Sequence, residues 1–283
     1  EKGYFNGVNK DFSFSLAYAP LDFGARRFCE ARVWSYFNKF TDNGKDYLPY
    51  IEGKTNTPMP LFVKPKHKLS VQDVKDMMRD HYEGTPLDIS NDFGAGPYKT
   101  PYRLSPLNFK VDGQEYFNER PISTQQSGFV FVAQMRAHKP DPIGGVLWFG
   151  VDDANMAVFT PVYCCATKVP VCYTRVDGAD YITFSWNSAF WIFNWVSNMV
   201  YPRYDLMIGD VREAQKEMET TFNNAQEGIE EMAAKLLAKD KNAAVDFLTN
   251  YTNMTAQSTF DTWKQLGTFL SLIHISEPTR PRL

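Results

Sequence analysis

Cysteine, histidine and clustered basic residues are scarce in this chain of 283 residues, and each shortage argues against a class of function. The four cysteines have no paired CxxC spacing and no histidine cluster beside them, so we predict no metal site and no cofactor. A net charge of −3 without a basic stripe argues against nucleic-acid binding. The GxSxG, HExxH, P-loop and dinucleotide-binding motifs are all missing, so these signatures assign no chemistry.

Long hydrophobic runs are missing as well. Residues 189–201 form the most apolar run, which is too short to span a membrane and contains Asn194 and Asn198, so no membrane span is predicted. No signal peptide is visible and the chain begins with Glu1, so we expect a fragment whose beginning is missing. A hydrophobic content of 43% with 15% aromatic residues predicts a globular core filled by large side chains.

The stretch from residue 116 to residue 163 is expected to form the centre of the fold. Residues 129–135 are apolar on both alternating faces, which is typical of a strand covered on both sides. Further strands are predicted over residues 146–151 and 156–163, joined by a tight polar turn over residues 152–155. Together they predict an antiparallel meander in a layered α+β domain.

Helical patterns and caps predict the rest of the architecture. Ser70 is a predicted N-cap with Asp73 as its capping-box partner. We expect one more strand over residues 181–186. One predicted helix ends near Phe40. Four others are predicted over residues 70–82, 188–201, 204–239 and 245–269.

Polar residues are concentrated just before and after the central strands. Residues 118–126 carry more polar groups than a turn needs, so a functional and a structural role are equally open there. Asp152 and Asp153 suit a carboxylate pair or a calcium ligand set, but a plain hairpin turn uses the same residues and is the simpler interpretation.

Intrinsically reactive side chains are found at His81 and at the pair Cys164 and Cys165. A histidine near a helix C-terminus is favoured by the helix dipole, so local packing is the simpler interpretation of His81. A nucleophilic thiol needs a neighbour that lowers its pKa, and the sequence places none near Cys164 or Cys165, which we interpret as core thiols.

Four long strings resemble the dipeptidase family of amino-terminal-nucleophile (Ntn) cysteine peptidases. They are PLDFGARRFCEARVW (residues 20–34), MRDHYEGTPLDI (78–89), YFNERPISTQQSGFVFVAQMR (116–136) and PDPIGGVLWFGVDDANMAVFTPVYC (140–164). With the helical region after Ser188, the resemblance covers nearly the whole chain as far as about Phe269.

The resemblance implies a fold and a division of the chain. The fold is the αββα Ntn-hydrolase sandwich of antiparallel sheets, incomplete because its amino-terminal part is missing, with helices at the carboxyl end. Residues 1–186 then belong to the sandwich and residues 187–269 to a mainly helical region. Residues 270–283 are expected to be a non-native tail, because LSLIHISEPTR at residues 270–280 looks like a translated sequencing adapter.

The resemblance also implies hydrolysis of dipeptides by an amino-terminal cysteine whose own α-amino group handles the proton. Glu1 cannot be this nucleophile, so we expect it upstream and expect the chain to be inactive by itself. Gln125 and Gln126, and next Arg120, are the predicted supporting residues. The residues predicted to hold the charged amino terminus of the substrate follow the second strand: Asp152, Asp153 and Asn155.

Two other interpretations of the same sandwich stay open. One is a non-catalytic binding or scaffold protein that has lost the nucleophile. The other is an Ntn amidase that acts on penicillin V or bile-salt conjugates. Members of the family that the chain resembles occur both inside cells and behind signal peptides, and the sequence leaves open both locations and the formation of a homo-oligomer.

Overall fold

The computed structural model describes residues 3–102 and 108–276, which form two compact units. The first unit contains residues 3–69, 84–87 and 108–122, and the second contains residues 70–83, 88–102 and 123–276. Each unit combines helices with an antiparallel sheet, so the predicted α+β class is confirmed.

Short helices and one hairpin make up the first unit. Its helices are α1 (Phe14–Tyr18), α2 (Phe23–Ala25), a π-helical turn (Arg26–Glu30), α3 (Ala31–Phe40) and α4 (Leu48–Ile51), and its hairpin pairs β1 (Asn108–Val111) with β2 (Gln114–Phe117). Trp34 of α3 is buried and donates from Nε1 to the Gly44 carbonyl at 3.1 Å. A side chain at Gly44 would collide with the backbone of Phe37 and Asn38, so this turn requires glycine.

The second unit is built on a three-stranded antiparallel sheet in the order β3–β4–β5. The strands are β3 (Phe129–Met135), β4 (Gly145–Val151) and β5 (Thr160–Tyr163). Trp148 in the middle strand pairs with Val132 of β3 and with Pro161 of β5. The predicted meander is therefore confirmed, although β5 begins at residue 160 instead of residue 156.

The helices of the second unit lie before, within and after the strands in sequence, and all but the short α6 correspond to helices that the sequence predicts. They are α5 (Val71–Met78), α6 (Asp141–Gly144), α7 (Ala189–Val200), α8 (Tyr204–Leu237) and α9 (Lys241–Leu270), followed by a π-helical turn (Ser271–Ser276). The capping box of Ser70 and Asp73 is confirmed. Within the described ranges, no helix combines the length and the apolar composition that crossing a membrane requires. Residues 277–283 of the expected tail lie outside the described residues.

The strand predicted over residues 181–186 is wrong. Asp180 accepts the backbone N–H groups of Ile182 at 3.0 Å and of Thr183 at 2.8 Å, which closes a turn at this place. The side chains of Tyr181 and Ile182 are largely exposed, so their apolar character does not reflect a buried strand.

The prediction that both faces of β3 are covered is also wrong for the part of the chain that the structure describes. Val132 lies on the same face as Trp148, whose ring centroid is 3.5 Å from Lys75 Nζ of α5. On the other face, Phe129, Phe131 and Met135 are between 49% and 61% exposed. The physical reason is that α5 and the long helices after the sheet pack against a single side.

A buried ion pair holds the backbone that connects β4 to β5. Arg79, the residue after α5, donates to both carboxylate oxygens of Glu219 in α8. The same guanidinium donates to the carbonyls of Ala154 at 3.2 Å and Ala157 at 2.9 Å, and Glu219 accepts the N–H of Phe159 at 2.9 Å. Burial alone would raise the pKa of Glu219, but Arg79 lowers it below its ordinary value. These bonds take the place of sheet hydrogen bonds, which explains the late start of β5.

Replacing Glu219 by Gln removes the buried counter-charge of the Arg79 guanidinium, whose other carboxylate contact is the exposed Asp76 at 3.6 Å. We expect the free energy of unfolding in urea to fall by about 3–5 kcal/mol, because an uncompensated buried charge is costly. Glu115→Gln is the matched control, since its pair with Lys110 is exposed and 3.6 Å long. We expect that control to lose less than about 1 kcal/mol. Equal losses in the two variants would show that the buried pair has no special structural role.

Candidate functional site

Buried polar side chains are collected where β4 ends. Asp152, Asp153 and Asn155 follow the strand directly, and each is at most 4% exposed. Asp152 has a φ of 72°, a left-handed conformation that aspartate and asparagine tolerate better than most residues. The turn therefore brings two carboxyl groups and an amide into the protein instead of exposing them to solvent.

Of the two carboxylates, Asp153 accepts more hydrogen bonds. Its Oδ2 accepts from the Tyr201 hydroxyl at 2.7 Å, and its Oδ1 accepts the backbone N–H of Asn155 at 2.8 Å. Ser123 Oγ lies 3.5 Å from the same Oδ1. Burial raises the pKa of Asp153 above its ordinary value, although the hydrogen bonds and the nearby His81 act in the opposite direction.

Asp152 has fewer donors around it. Its Oδ2 accepts a hydrogen bond from Ser197 Oγ of α7 at 2.5 Å. Burial, and after it the charge of Asp153, raise the pKa of Asp152 to about 7. Two adjacent carboxylates in a site of low dielectric cannot both ionise easily. The turn thus contains a carboxyl group that titrates near neutral pH.

Asn155 is held in place by α8 and by two tyrosines. Its backbone carbonyl accepts from Arg212 and from Gln215, each at 2.9 Å, and its side-chain oxygen also accepts from Arg212. Its amide nitrogen donates to the hydroxyls of Tyr201 and Tyr204, each at 3.3 Å. These partners fix the orientation of the amide.

His81 lies beyond the end of α5 and is connected to the same cluster. Its buried ring meets Tyr102 edge to face at 5.1 Å, and the hydroxyls of Tyr102 and Tyr201 are 2.9 Å apart. A chain of contacts therefore runs from His81 to Asp153. Glu83 accepts the His81 backbone N–H at 2.8 Å and lies 3.2 Å from Nδ1, and these contacts outweigh burial and lower the pKa of Glu83 to about 2.

The tyrosines and serines of this cluster were missed by sequence reasoning. Tyr201 ends an apolar helix and Tyr102 lies in a proline-rich loop, so neither shows a pattern that marks a site. Ser123 belongs to the polar segment before β3, and that excess of polar residues is the one signal that points toward it.

The three predicted supporting residues differ in their exposure and in the unit to which they belong. Gln125 is half-buried and Gln126 is exposed, both in the turn before β3, while Ser123 of the same segment reaches Asp153. Arg120 belongs to the first unit, where its guanidinium lies 4.8 Å from the centroid of the Phe28 ring.

An apolar cleft of about 440 Å³ opens beside the turn. Val151, the residue before Asp152, is part of its wall, so the cleft adjoins the polar cluster. Aromatic rings and two charged groups are prominent in the lining, which also includes Gly128: Phe129, Phe149, Tyr173, Arg175 and Asp180.

The thiols of the second unit lack the surroundings of an activated nucleophile. Burial raises the pKa of Cys165, and it raises that of Cys172 to about 11. Cys164 is exposed because β5 ends one residue before it, so its interpretation as a core thiol is wrong. Across residues 3–102 and 108–276, no three His, Cys, Asp or Glu side chains are grouped closely enough to hold a metal ion.

Replacing Asp152 by Asn tests the electrostatic state of the turn. The pKa of about 7 in the folded state lies above the ordinary 3.8, so the folded state binds this proton more tightly and stability falls as the pH rises between these values. Asn keeps the shape and tolerates the positive φ without carrying a charge. We expect Asp152→Asn to be more stable than the wild type above pH 7 by on the order of 3–4 kcal/mol in urea unfolding.

The expected gain disappears below the ordinary pKa of the carboxyl group, because both proteins are then neutral at this position. Asp112→Asn is the matched control, since Asp112 also has a positive φ of 50° but is exposed. We expect the control to differ little in stability from the wild type, because its side chain is exposed to solvent. A gain for Asp152→Asn that is the same at every pH would contradict the titration of Asp152.

Comparison with curated proteins finds similar sequences in bacteria. The chain is similar to the probable dipeptidase B of Lactococcus lactis subsp. lactis (strain IL1403), with 26% identity over 209 residues, which cover 69% of this chain and 39% of that protein. It is also similar to probable dipeptidases of Salmonella dublin (25% identity, 58% of this chain and 32% of that protein) and Latilactobacillus sakei (25%, 53% and 27%). The chain thus spans less than two fifths of the length of these relatives.

A family model gives a longer match than these pairwise similarities. The model is described as Peptidase family C69 and matches residues 1–217. The matched range contains the sheets of both units and the polar cluster after β4. Since the match covers well over half of the chain, the chain belongs to Peptidase family C69.

Proposed function

We propose that this chain works in an enzyme that hydrolyses the amide bond of dipeptides. The observation that carries the proposal is the match to Peptidase family C69 over residues 1–217, and the names of the similar proteins agree with it. The proposed nucleophile is an amino-terminal cysteine outside these 283 residues. Its thiolate attacks the scissile carbonyl, and its α-amino group, with an ordinary pKa of about 8, passes the thiol proton to the leaving amine as the amide C–N bond breaks. Water then hydrolyses the thioester of the acyl-enzyme and restores the thiol.

The cysteines of this chain support a nucleophile elsewhere. An internal cysteine has no free α-amino group to accept the proton of its thiol. Cys165 and Cys172 also have pKa values raised by burial, which lowers the fraction of reactive thiolate.

The proposed fold of the enzyme is the αββα sandwich, with residues 1–186 in the sandwich, residues 187–269 in a helical region and residues 270–283 as a non-native tail. The exposed apolar side of β3, with Phe131 and Met135, supports this proposal, because a large apolar surface of this kind is usually covered. The helices on the opposite side of the sheet correspond to one outer layer of such a sandwich.

In this proposal the polar cluster serves the amino end of the substrate. Asp152, Asp153 and Asn155 supply negative charge and oxygen acceptors for the substrate ammonium. Gln125 or Gln126 supports the nucleophile from the turn before β3, with Arg120 as the next candidate.

The amino-terminal sequence of the mature full-length protein tests the mechanism. We expect cysteine at position one, loss of dipeptide hydrolysis when that cysteine is replaced by Ala, and no activity of the 283-residue chain alone. Cys164→Ala is the matched control and is expected to keep full activity. A different first residue would favour a non-catalytic scaffold. Hydrolysis of penicillin V or bile-salt conjugates in place of dipeptides would favour an amidase.

Replacing Gln126 by Ala in the full-length enzyme tests the supporting role. We expect kcat to fall by roughly 10²-fold with KM little changed, because a group that acts on the transition state affects the chemical step. Gln114→Ala, at an exposed position of β2, is the control. An unchanged kcat/KM would show that Gln126 does not support the nucleophile. The same measurement on Gln125→Ala then tests whether Gln125 has this role.

A further inference from the structure

The cleft beside β4 has an aromatic wall that the chemistry proposed above does not use. The rings of Phe129 and Phe149 stack with their centroids 6.0 Å apart, and Phe149 meets Tyr173 at 5.5 Å. The cleft volume of about 440 Å³ lies within the usual range for small-molecule sites, roughly 300–1,000 Å³. It is large enough for one large apolar side chain together with the backbone that carries it.

Arg175 and Asp180 place one positive and one negative charge in the lining of this mainly apolar cleft. The side chain of Arg175 is 76% exposed and lies 3.2 Å from Asp180. Asp180 also accepts the N–H groups of Ile182 and Thr183, and these bonds hold the pKa of Asp180 below its ordinary value. Asp180 is therefore a fixed part of its loop, whereas an exposed pair of this kind holds its arginine only weakly. The Arg175 guanidinium is well placed to bind a ligand carboxylate.

The cleft is also joined to the polar cluster through the backbone. The carbonyl of Gly128 accepts the N–H of Asp152 at 3.0 Å, and both Gly128 and Val151 line the cleft. A side chain inserted here would bring its own backbone next to the turn after β4.

We propose that this cleft binds the large apolar side chain of a dipeptide substrate, and that Arg175 binds the free carboxylate of the same dipeptide. This inference rests on the proposed dipeptidase function and narrows its substrate class. The preferred substrates carry an aromatic or branched aliphatic side chain and a free carboxyl terminus. Burial of the substrate side chain in the cleft selects apolar dipeptides, and the charge of Arg175 orients the bound dipeptide.

Gly128→Phe in the full-length enzyme adds a large ring at the lining of the cleft. A Cβ added at Gly128 meets no atom within 4 Å, and the residue does not have a positive φ, so the new ring enters open space without backbone strain. We expect the ratio of kcat/KM for leucyl-leucine to kcat/KM for alanyl-alanine to fall by about tenfold, because the larger side chain loses its site. Gly228→Phe is the matched control, since a Cβ there is also unobstructed but lies on α8. That control is expected to keep the wild-type ratio.

Arg175→Gln provides an independent test that does not alter the packed interior. We expect KM for leucyl-leucine to rise about tenfold more than KM for leucyl-leucine amide, which lacks the carboxylate that the arginine binds. Lys168→Gln removes one exposed positive charge from the same unit and is the control for a general charge effect.

A wrong cleft assignment and a wrong dipeptidase function give different experimental results. In one outcome, the wild-type enzyme hydrolyses dipeptides while Gly128→Phe keeps the wild-type ratio of kcat/KM values and Arg175→Gln keeps the wild-type ratio of KM values. In that case the cleft assignment is wrong and the dipeptidase function remains. A wild-type enzyme that hydrolyses no dipeptide overturns the proposed function and the cleft assignment together.

Discussion

The buried ion pair between Arg79 and Glu219 is the constraint on which the polar cluster depends. The backbone between β4 and β5 is buried but does not pair with a neighbouring strand, and buried N–H and C=O groups need partners. Arg79 and Glu219 supply several of them, and Gln215 adds a bond to the Ala157 carbonyl at 2.8 Å. Since the two charges are themselves removed from water, they are compensated by each other and by this backbone. The positions of α5, α8 and the turn after β4 are therefore coupled.

The two carboxyl groups of the turn differ in the hydrogen-bond donors around them. Asp153 receives the Tyr201 hydroxyl and backbone N–H groups, whereas Asp152 has Ser197 as its side-chain donor. Both pKa values are raised by burial, and that of Asp152 reaches about 7. At neutral pH the pair thus carries less than two full negative charges. A site of this charge suits a single ammonium group better than a divalent cation, which agrees with the proposed binding of a substrate amino terminus.

Local features of this fold could be predicted from the sequence, and long-range ones could not. The capping box at Ser70 and the long helices follow from patterns within a few residues, and the meander follows from alternation and turn chemistry. The contact chain from His81 to Asp153 joins residues far apart in the chain, and no periodicity marks it. The apolar pattern of β3 likewise shows how hydrophobic each face is, but it does not show what covers that face. The start of β5 was misplaced because the side chains of Arg79 and of two α8 residues, Gln215 and Glu219, replace the sheet partners.

The exposed side of the sheet connects the proposed sandwich with the proposed cleft. Phe129 and Val151 are paired at one end of the β3–β4 ladder, and Met135 and Gly145 are paired at the other. A covering sheet that reached the first end would close the cleft, so the two proposals are compatible when the cover extends over Phe131 and Met135 and stops short of Phe129. The open end is also where β4 leads into the polar turn. In the proposed enzyme, the bound dipeptide would therefore lie at this end, between the side-chain cleft and the turn that carries the buried carboxyl groups.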